Sequence, residues 1–223
     1  MAYSWFMSVE TRSAFHRQLD NLDLAVATLL GLIPDALHQA TQAFVTGDDK
    51  LAGNVAEGRR IIEDLYSEVD ETIEALVATQ GPVARDLRFL MGCLRLLPEV
   101  RDTLDLVDRI AKPGVDSFSE RLTPRVRSLS EALAEQLVTL WSLVNTMWRN
   151  GQESSTGLLD ALDDAVAEAN SALVAEASGG GLDADVAVQI AVITAAFGRV
   201  AHHAGAVGRA AVSLADAHPV GNL

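Results

Sequence analysis

Apolar residues recur at every third or fourth position through most of this sequence, with polar residues between them. From Thr11 to Val45 this spacing keeps one side of an α-helix apolar, and it predicts a first long helix. Pro34 should bend that helix, because proline lacks a backbone N–H and clashes with the preceding turn. The apolar positions are Phe15, Leu19, Leu22, Val26, Leu29, Ile33 and Leu37.

Two more segments in the first half of the chain have the same period. A Gly-Asp-Asp turn at residues 47–49 is predicted to end the first helix and to cap the second. The second helix has apolar positions from Leu51 to Leu76 and ends at Gly81-Pro82. The third should bend near Pro98. Its apolar positions are Leu87, Leu90, Leu94, Leu97, Leu104 and Val107.

The second half of the chain repeats this arrangement after a connection at residues 113–122. A Thr-Pro pair at residues 123–124 predicts a cap and a first helical turn. A run of three glycines after Ser178 breaks the chain before the last helix. The three predicted helices run from about Pro124 to Arg149, Ser155 to Ala177 and Asp183 to Ala215.

Six long helices, short turns and no strand pattern predict an all-α fold of antiparallel bundles. A shift of 97 residues places the apolar positions of the third helix on those of the sixth. The interpretation is two pseudo-symmetric three-helix bundles. Their predicted boundaries are 11–115 and 116–218, with an N-terminal extension at 1–10 and a tail at 219–223.

The composition supports a folded chain and limits the classes of partner that the chain can bind. Hydrophobic residues make up 49% of the sequence and aromatic residues only 5%, a mixture that favours a helical core. The net charge of −14 argues against binding to nucleic acid, because phosphate contacts need lysine and arginine. A protein partner with a basic patch remains compatible with this charge.

The expected location is the cytoplasm. Cys93 is the single cysteine, so no disulfide can form within the chain. We find no uninterrupted apolar run of about 18 residues, the length that spans a bilayer. The first residues also lack the basic and apolar regions of a signal peptide.

Several motifs resemble those of the PhoU family. The strongest is Leu-Val-Ala-Thr-Gln-Gly-Pro-Val-Ala-Arg-Asp-Leu-Arg at residues 76–88, which is similar to the turn between the second and third helices of that family. Phe-His-Arg-Gln-Leu at 15–19 and Ile-Glu-Asp-Leu at 62–65 resemble its first two helices. Val-Ala-His-His-Ala at 200–204 resembles the end of its second repeat.

This resemblance implies two three-helix bundles side by side and a regulatory role in phosphate homeostasis. Members of the family lie at the inner membrane surface between a phosphate ABC transporter, through its ATPase subunit, and a sensor histidine kinase. They hold the kinase in its repressing state when phosphate is plentiful. The resemblance therefore implies an adaptor that can form a homodimer, is not an enzyme and has no catalytic residues.

PhoU-like proteins often bind metal clusters through an acidic residue followed four positions later by Asp, on the third helix of each half. Two carboxylates at this spacing share one helix face and can converge on a cation. In the first half the pair becomes Arg101 and Asp105, and we expect the two to form a salt bridge. The second helix has Arg59 and Glu63 where two acids are usual.

In the second half the metal pair becomes Gly198 and His202. The fifth helix retains an acidic pair, Asp164 and Glu168. We therefore expect no metal cluster and no cofactor, and Asp105 is the one matching position on the third and sixth helices. The residual candidates for a single ion are Asp105, Asp164, Glu168 and His202, and a solvated acidic face is the alternative.

A partner surface is predicted at the start of the third helix, where basic residues interrupt an acidic chain. It contains Arg85, Asp86, Arg88 and Arg95. The alternative is that these charges only bond neighbouring helices. Two other function classes stay open: a metal-binding helical bundle, as a store or a metalloenzyme, and a coiled-coil scaffold.

Overall fold

Six α-helices form nearly all of the molecule. The computed structural model describes residues 2–82, 84–114, 117–150 and 155–217, with side chains from residue 13 onward. No strand occurs within these ranges. The helices are α1 (Ala2–Thr46), α2 (Asp49–Gln80), α3 (Ala84–Ala111), α4 (Pro124–Asn150), α5 (Thr156–Ser178) and α6 (Ala184–Leu214).

The helices pack as two three-helix bundles side by side. Helices α1, α2 and α3 contact one another, as do α4, α5 and α6. The two bundles meet where α1 packs on α4 and where α3 packs on α6. This confirms the predicted fold class. The boundary predicted at residues 115 and 116, and the tail at 219–223, lie outside the described residues.

The helix ends follow the predicted turn chemistry. The Asp48 carboxylate accepts hydrogen bonds from the first free backbone N–H groups of α2. Gly81 ends α2 in the left-handed conformation, with φ of 53°, which a residue without Cβ adopts easily. Thr123 Oγ1 accepts a hydrogen bond from the backbone N of Val126, and Pro124 is the first residue of α4.

Two helices are more continuous than the sequence suggests. Helix α1 begins at Ala2, so residues 2–10, which were predicted as part of an extension, continue this helix. Helix α1 also passes through Pro34, and α3 passes through Pro98, without interruption. Bends at these two prolines stay predictions.

One apolar core extends through both bundles. The Phe44 ring on α1 lies 6.2 Å from that of Phe118 and 6.3 Å from that of Phe197 on α6, between ring centroids. At the other end of the molecule the Phe89 ring lies 6.1 Å from the ring of Trp148. Aromatic packing therefore joins the two halves at both ends of the molecule.

Helix α6 is more apolar than the lack of an uninterrupted apolar run in the sequence suggests. Within the described residues, Ala184–Ala217 is long and apolar enough to cross a membrane by length and composition alone. In the structure α6 packs against α3, α4 and α5. Burial in the core accounts for part of its apolar composition, while Val188 and Val192 are exposed.

Candidate functional site

The face shared by α2 and α3 contains the first-half positions that the family resemblance links to metal. Arg59, in the first half of α2, occupies this face. Its Nε lies 2.9 Å from Glu63 Oε1, one turn along the same helix. Its Nη2 lies 2.5 Å from Asp105 Oδ1, and its Nη1 lies 2.6 Å from Asp108 Oδ2, both on α3.

The charge of Arg59 is stabilised by these partners. Burial opposes the charged form, since the side chain is only 24% exposed. Hydrogen bonds to Asp105, Glu63 and Asp108 outweigh that effect and hold the pKa of the guanidinium above its ordinary value. The face therefore has a permanent cation between three carboxylates.

Arg101 does not make the salt bridge that we predicted with Asp105. Its guanidinium carbon lies 4.5 Å from the ring centroid of Tyr66 on α2, a cation–π contact. Asp105 instead bonds to Arg59. The prediction considered only residues on the same helix, whereas Arg59 is 46 residues away in sequence and reaches across from α2.

The second-half candidates do not assemble into a comparable cluster. Asp164, Glu168 and His202 are all exposed. Among the residues that the structure describes, no group of three or more His, Cys, Asp or Glu side chains is placed to hold a metal ion. Beside Gly198 lies the Asn170 amide, which a Cβ at that glycine would approach to 3.2 Å.

The residues at these positions do not fit the metal clusters that the resemblance implies. A hard cation needs several oxygen ligands to replace its hydration water. In the first half the converging oxygens already bind a guanidinium. In the second half a glycine and a histidine replace the acidic pair.

The start of α3 presents a basic and apolar stripe to solvent. Arg88 and Arg95 are exposed, and Leu87 and Met91 are also 37% and 39% exposed. Their spacing of three, four and seven residues puts them on adjoining rows of one helix surface. We call this set of four the α3 N-terminal face. The apolar period predicted that Leu87 lies in the core. This prediction is wrong, because Leu87 is exposed.

The other two residues of the predicted partner surface differ from Arg88 and Arg95. Arg85 and Asp86 are half-buried. Arg85 already interacts with another residue of the molecule. They are therefore better placed to support the start of α3 than to reach a partner, although their role in binding stays a prediction.

A polar contact also joins the two bundles. The Nδ1 atom of His203 on α6 hydrogen-bonds the Glu99 carboxylate on α3. His203 is only 6% exposed. Three residues along α3, Asp102 faces Arg199 at 3.9 Å in an exposed pair. The partly buried bond between His203 and Glu99 is the stronger constraint on how α3 and α6 align.

Known proteins similar to this chain agree with its motifs and its fold. The PhoU domain family matches residues 26–113. The phosphate-specific transport system accessory protein PhoU of Serratia marcescens is 29% identical over 126 residues, which are 56% of this chain and 51% of that protein. The PhoU homolog 1 of Mycobacterium bovis is 26% identical over 208 residues, or 91% of this chain and 93% of the relative.

The crystal structure of PhoU from Pseudomonas aeruginosa has the same fold. It superposes with a TM-score of 0.80 at 17% sequence identity and covers 90% of this chain and 98% of that one. Matches in sequence are less complete. The chain spans about half the length of the Serratia protein and nearly all of the mycobacterial one.

Proposed function

We propose that this chain belongs to the PhoU family and that it is a regulatory accessory protein of a phosphate transport system. The observation that supports the proposal most is the match of residues 26–113 to the PhoU domain. That range includes the motif at residues 76–88. The relatives named above are accessory proteins of phosphate-specific transport.

The proposed mechanism is repression by contact in the cytoplasm. When phosphate is plentiful, the chain binds the ATPase subunit of a phosphate ABC transporter and a sensor histidine kinase, and it keeps phosphate uptake and starvation signalling low. It performs no chemical step itself. Binding energy must then come from side chains spread along helix surfaces, with a few of them dominating.

We place one partner contact on the α3 N-terminal face. Leu87 and Met91 supply apolar area that is not used in the core. Arg88 and Arg95 add positive charge to a chain of net charge −14. Neither arginine has an ion pair within the part of the chain that the structure describes. This face therefore suits an acidic partner surface with an apolar centre.

Charge reversal tests the placement. The variant Arg88→Glu/Arg95→Glu should lose at least ten-fold in affinity for one of the two partners, because two complementary charges become repulsive. The purified ATPase subunit and the cytoplasmic part of the kinase, from the same organism, serve as probes in a calorimetric titration. The melting temperature should hardly change, since both side chains are exposed.

The matched control reverses two exposed arginines at the opposite end of the molecule, Arg109→Glu/Arg125→Glu. It changes the net charge by the same amount, so a general charge effect would lower the partner affinity of both variants equally. Unchanged binding of Arg88→Glu/Arg95→Glu to both partners would place the contact elsewhere. A large fall in its melting temperature would show instead that these charges bond neighbouring helices.

A further inference from the structure

One guanidinium stands at the centre of three carboxylates from two helices. Glu63 comes from α2, and Asp105 and Asp108 come from α3. Without a cation between them, these three negative charges would repel one another and push α2 away from α3. We infer that Arg59 is a built-in counter-ion that makes the α2–α3 face of this chain independent of metal ions.

The geometry of Arg59 suits this role. A guanidinium offers five N–H donors in a fixed plane, so it can bind carboxylates in several directions at once. Here Nε, Nη1 and Nη2 each lie between 2.5 and 2.9 Å from a carboxylate oxygen. One oxygen of each of the three carboxylates is therefore bound to Arg59, and the positive charge of the guanidinium repels a second cation.

The neighbouring arginine supplies an internal comparison. Arg60 is 66% exposed, and its salt bridge in the described part of the chain is with Glu57, one turn away on the same helix. That pair joins no second helix, and a surface pair of this kind contributes little to stability. Arg59 differs because its partners on α3 tie two helices together.

Metal independence goes beyond the proposed regulatory function and does not rest on it. The inference concerns the purified chain alone, so its failure would leave the phosphate proposal standing, and the reverse also holds. If it is correct, the metal supply of the cell does not control whether this face is folded.

The test measures melting temperature with and without divalent cations. The wild-type chain, freed of any affinity tag, should melt at the same temperature in a chelator and in millimolar Mn²⁺. Arg59→Gln should melt about 4 °C lower and should regain part of that loss in Mn²⁺, because a divalent cation can then neutralise the three carboxylates. Arg60→Gln should show neither effect.

A second variant separates charge from hydrogen bonding and guards against a poorly folded Arg59→Gln. Arg59→Lys retains the positive charge, so its melting temperature should not respond to Mn²⁺. Three results would overturn the inference. These are a wild-type chain that loses stability in a chelator, an Arg59→Gln loss that Mn²⁺ does not reverse, and an Arg59→Lys variant that responds to Mn²⁺ as Arg59→Gln does.

Discussion

At the residue scale, α3 and α6 approach each other closely because α3 has a glycine, Gly92, at the contact. A Cβ atom added to Gly92 on α3 would lie 2.4 Å from Leu214 Cδ1 on α6. Leu214 is itself buried, so it cannot move away without disturbing the core. Gly92 therefore sets the distance between the two bundles at this end of the molecule.

The substitution Gly92→Ala should lower the free energy of unfolding by about 1–2 kcal/mol, the usual cost of overpacking. Gly58→Ala on α2 is the matched control, because a Cβ there meets nothing within 4 Å. It should raise the free energy of unfolding by up to about 1 kcal/mol, since alanine favours helix more than glycine does. Urea denaturation measures both. If the two substitutions change the free energy of unfolding by the same amount and in the same direction, the close packing at Gly92 is contradicted.

The low reactivity of the single thiol, that of Cys93, also follows from its surroundings. Cys93 is fully buried on α3. Burial, and to a smaller extent the nearby Asp23 carboxylate, raises the pKa of the Cys93 thiol above its usual value. The thiolate form is therefore disfavoured, and Cys93 serves as a core residue rather than as a nucleophile.

At the element scale, the partly buried hydrogen bond between His203 and Glu99 constrains how α3 and α6 align. Glu99→Ala removes the partner of His203 Nδ1 and should lower the free energy of unfolding by about 1–3 kcal/mol, because the buried nitrogen is left without a partner. Asp102→Ala breaks the exposed pair with Arg199 and should cost less than about 0.5 kcal/mol. Urea denaturation compares the two. If both variants lose the same free energy of unfolding, the hydrogen bond of His203 does not hold the two bundles together.

The helices themselves were predictable from sequence. Their apolar period is regular, and residues such as Asp48, Gly81 and Thr123 mark their ends through local chemistry that a short segment determines. The start of α1 was missed, since the helix was predicted from Thr11 whereas it begins at Ala2.

The contacts between helices were less predictable. A period of three to four identifies an apolar face but not the helix that covers it. Leu87 has the core spacing and is nevertheless 37% exposed. In the same way the i,i+4 spacing suggested that Arg101 pairs with Asp105, while Arg59 on the neighbouring helix takes that carboxylate. Residues that form bonds between helices can be recognised only when the packing of the helices is known.

At the scale of the whole molecule, the two bundles form one body with a shared core and an acidic surface. The aromatic contacts of Phe44 and Phe89 join the first bundle to the second. The α3 N-terminal face lies on this body as an exposed basic and apolar stripe. The proposed function requires that such a surface, rather than a catalytic pocket, transmits the phosphate signal.

The most direct test measures starvation-induced phosphatase activity in phosphate-rich medium, in a strain that lacks this gene and all of its paralogues. The strain should show raised activity, and the wild-type chain should bring the activity back to the repressed level. Arg109→Glu/Arg125→Glu should also restore repression, whereas Arg88→Glu/Arg95→Glu at equal abundance should not. Normal repression in the strain without any of these genes would contradict the regulatory function.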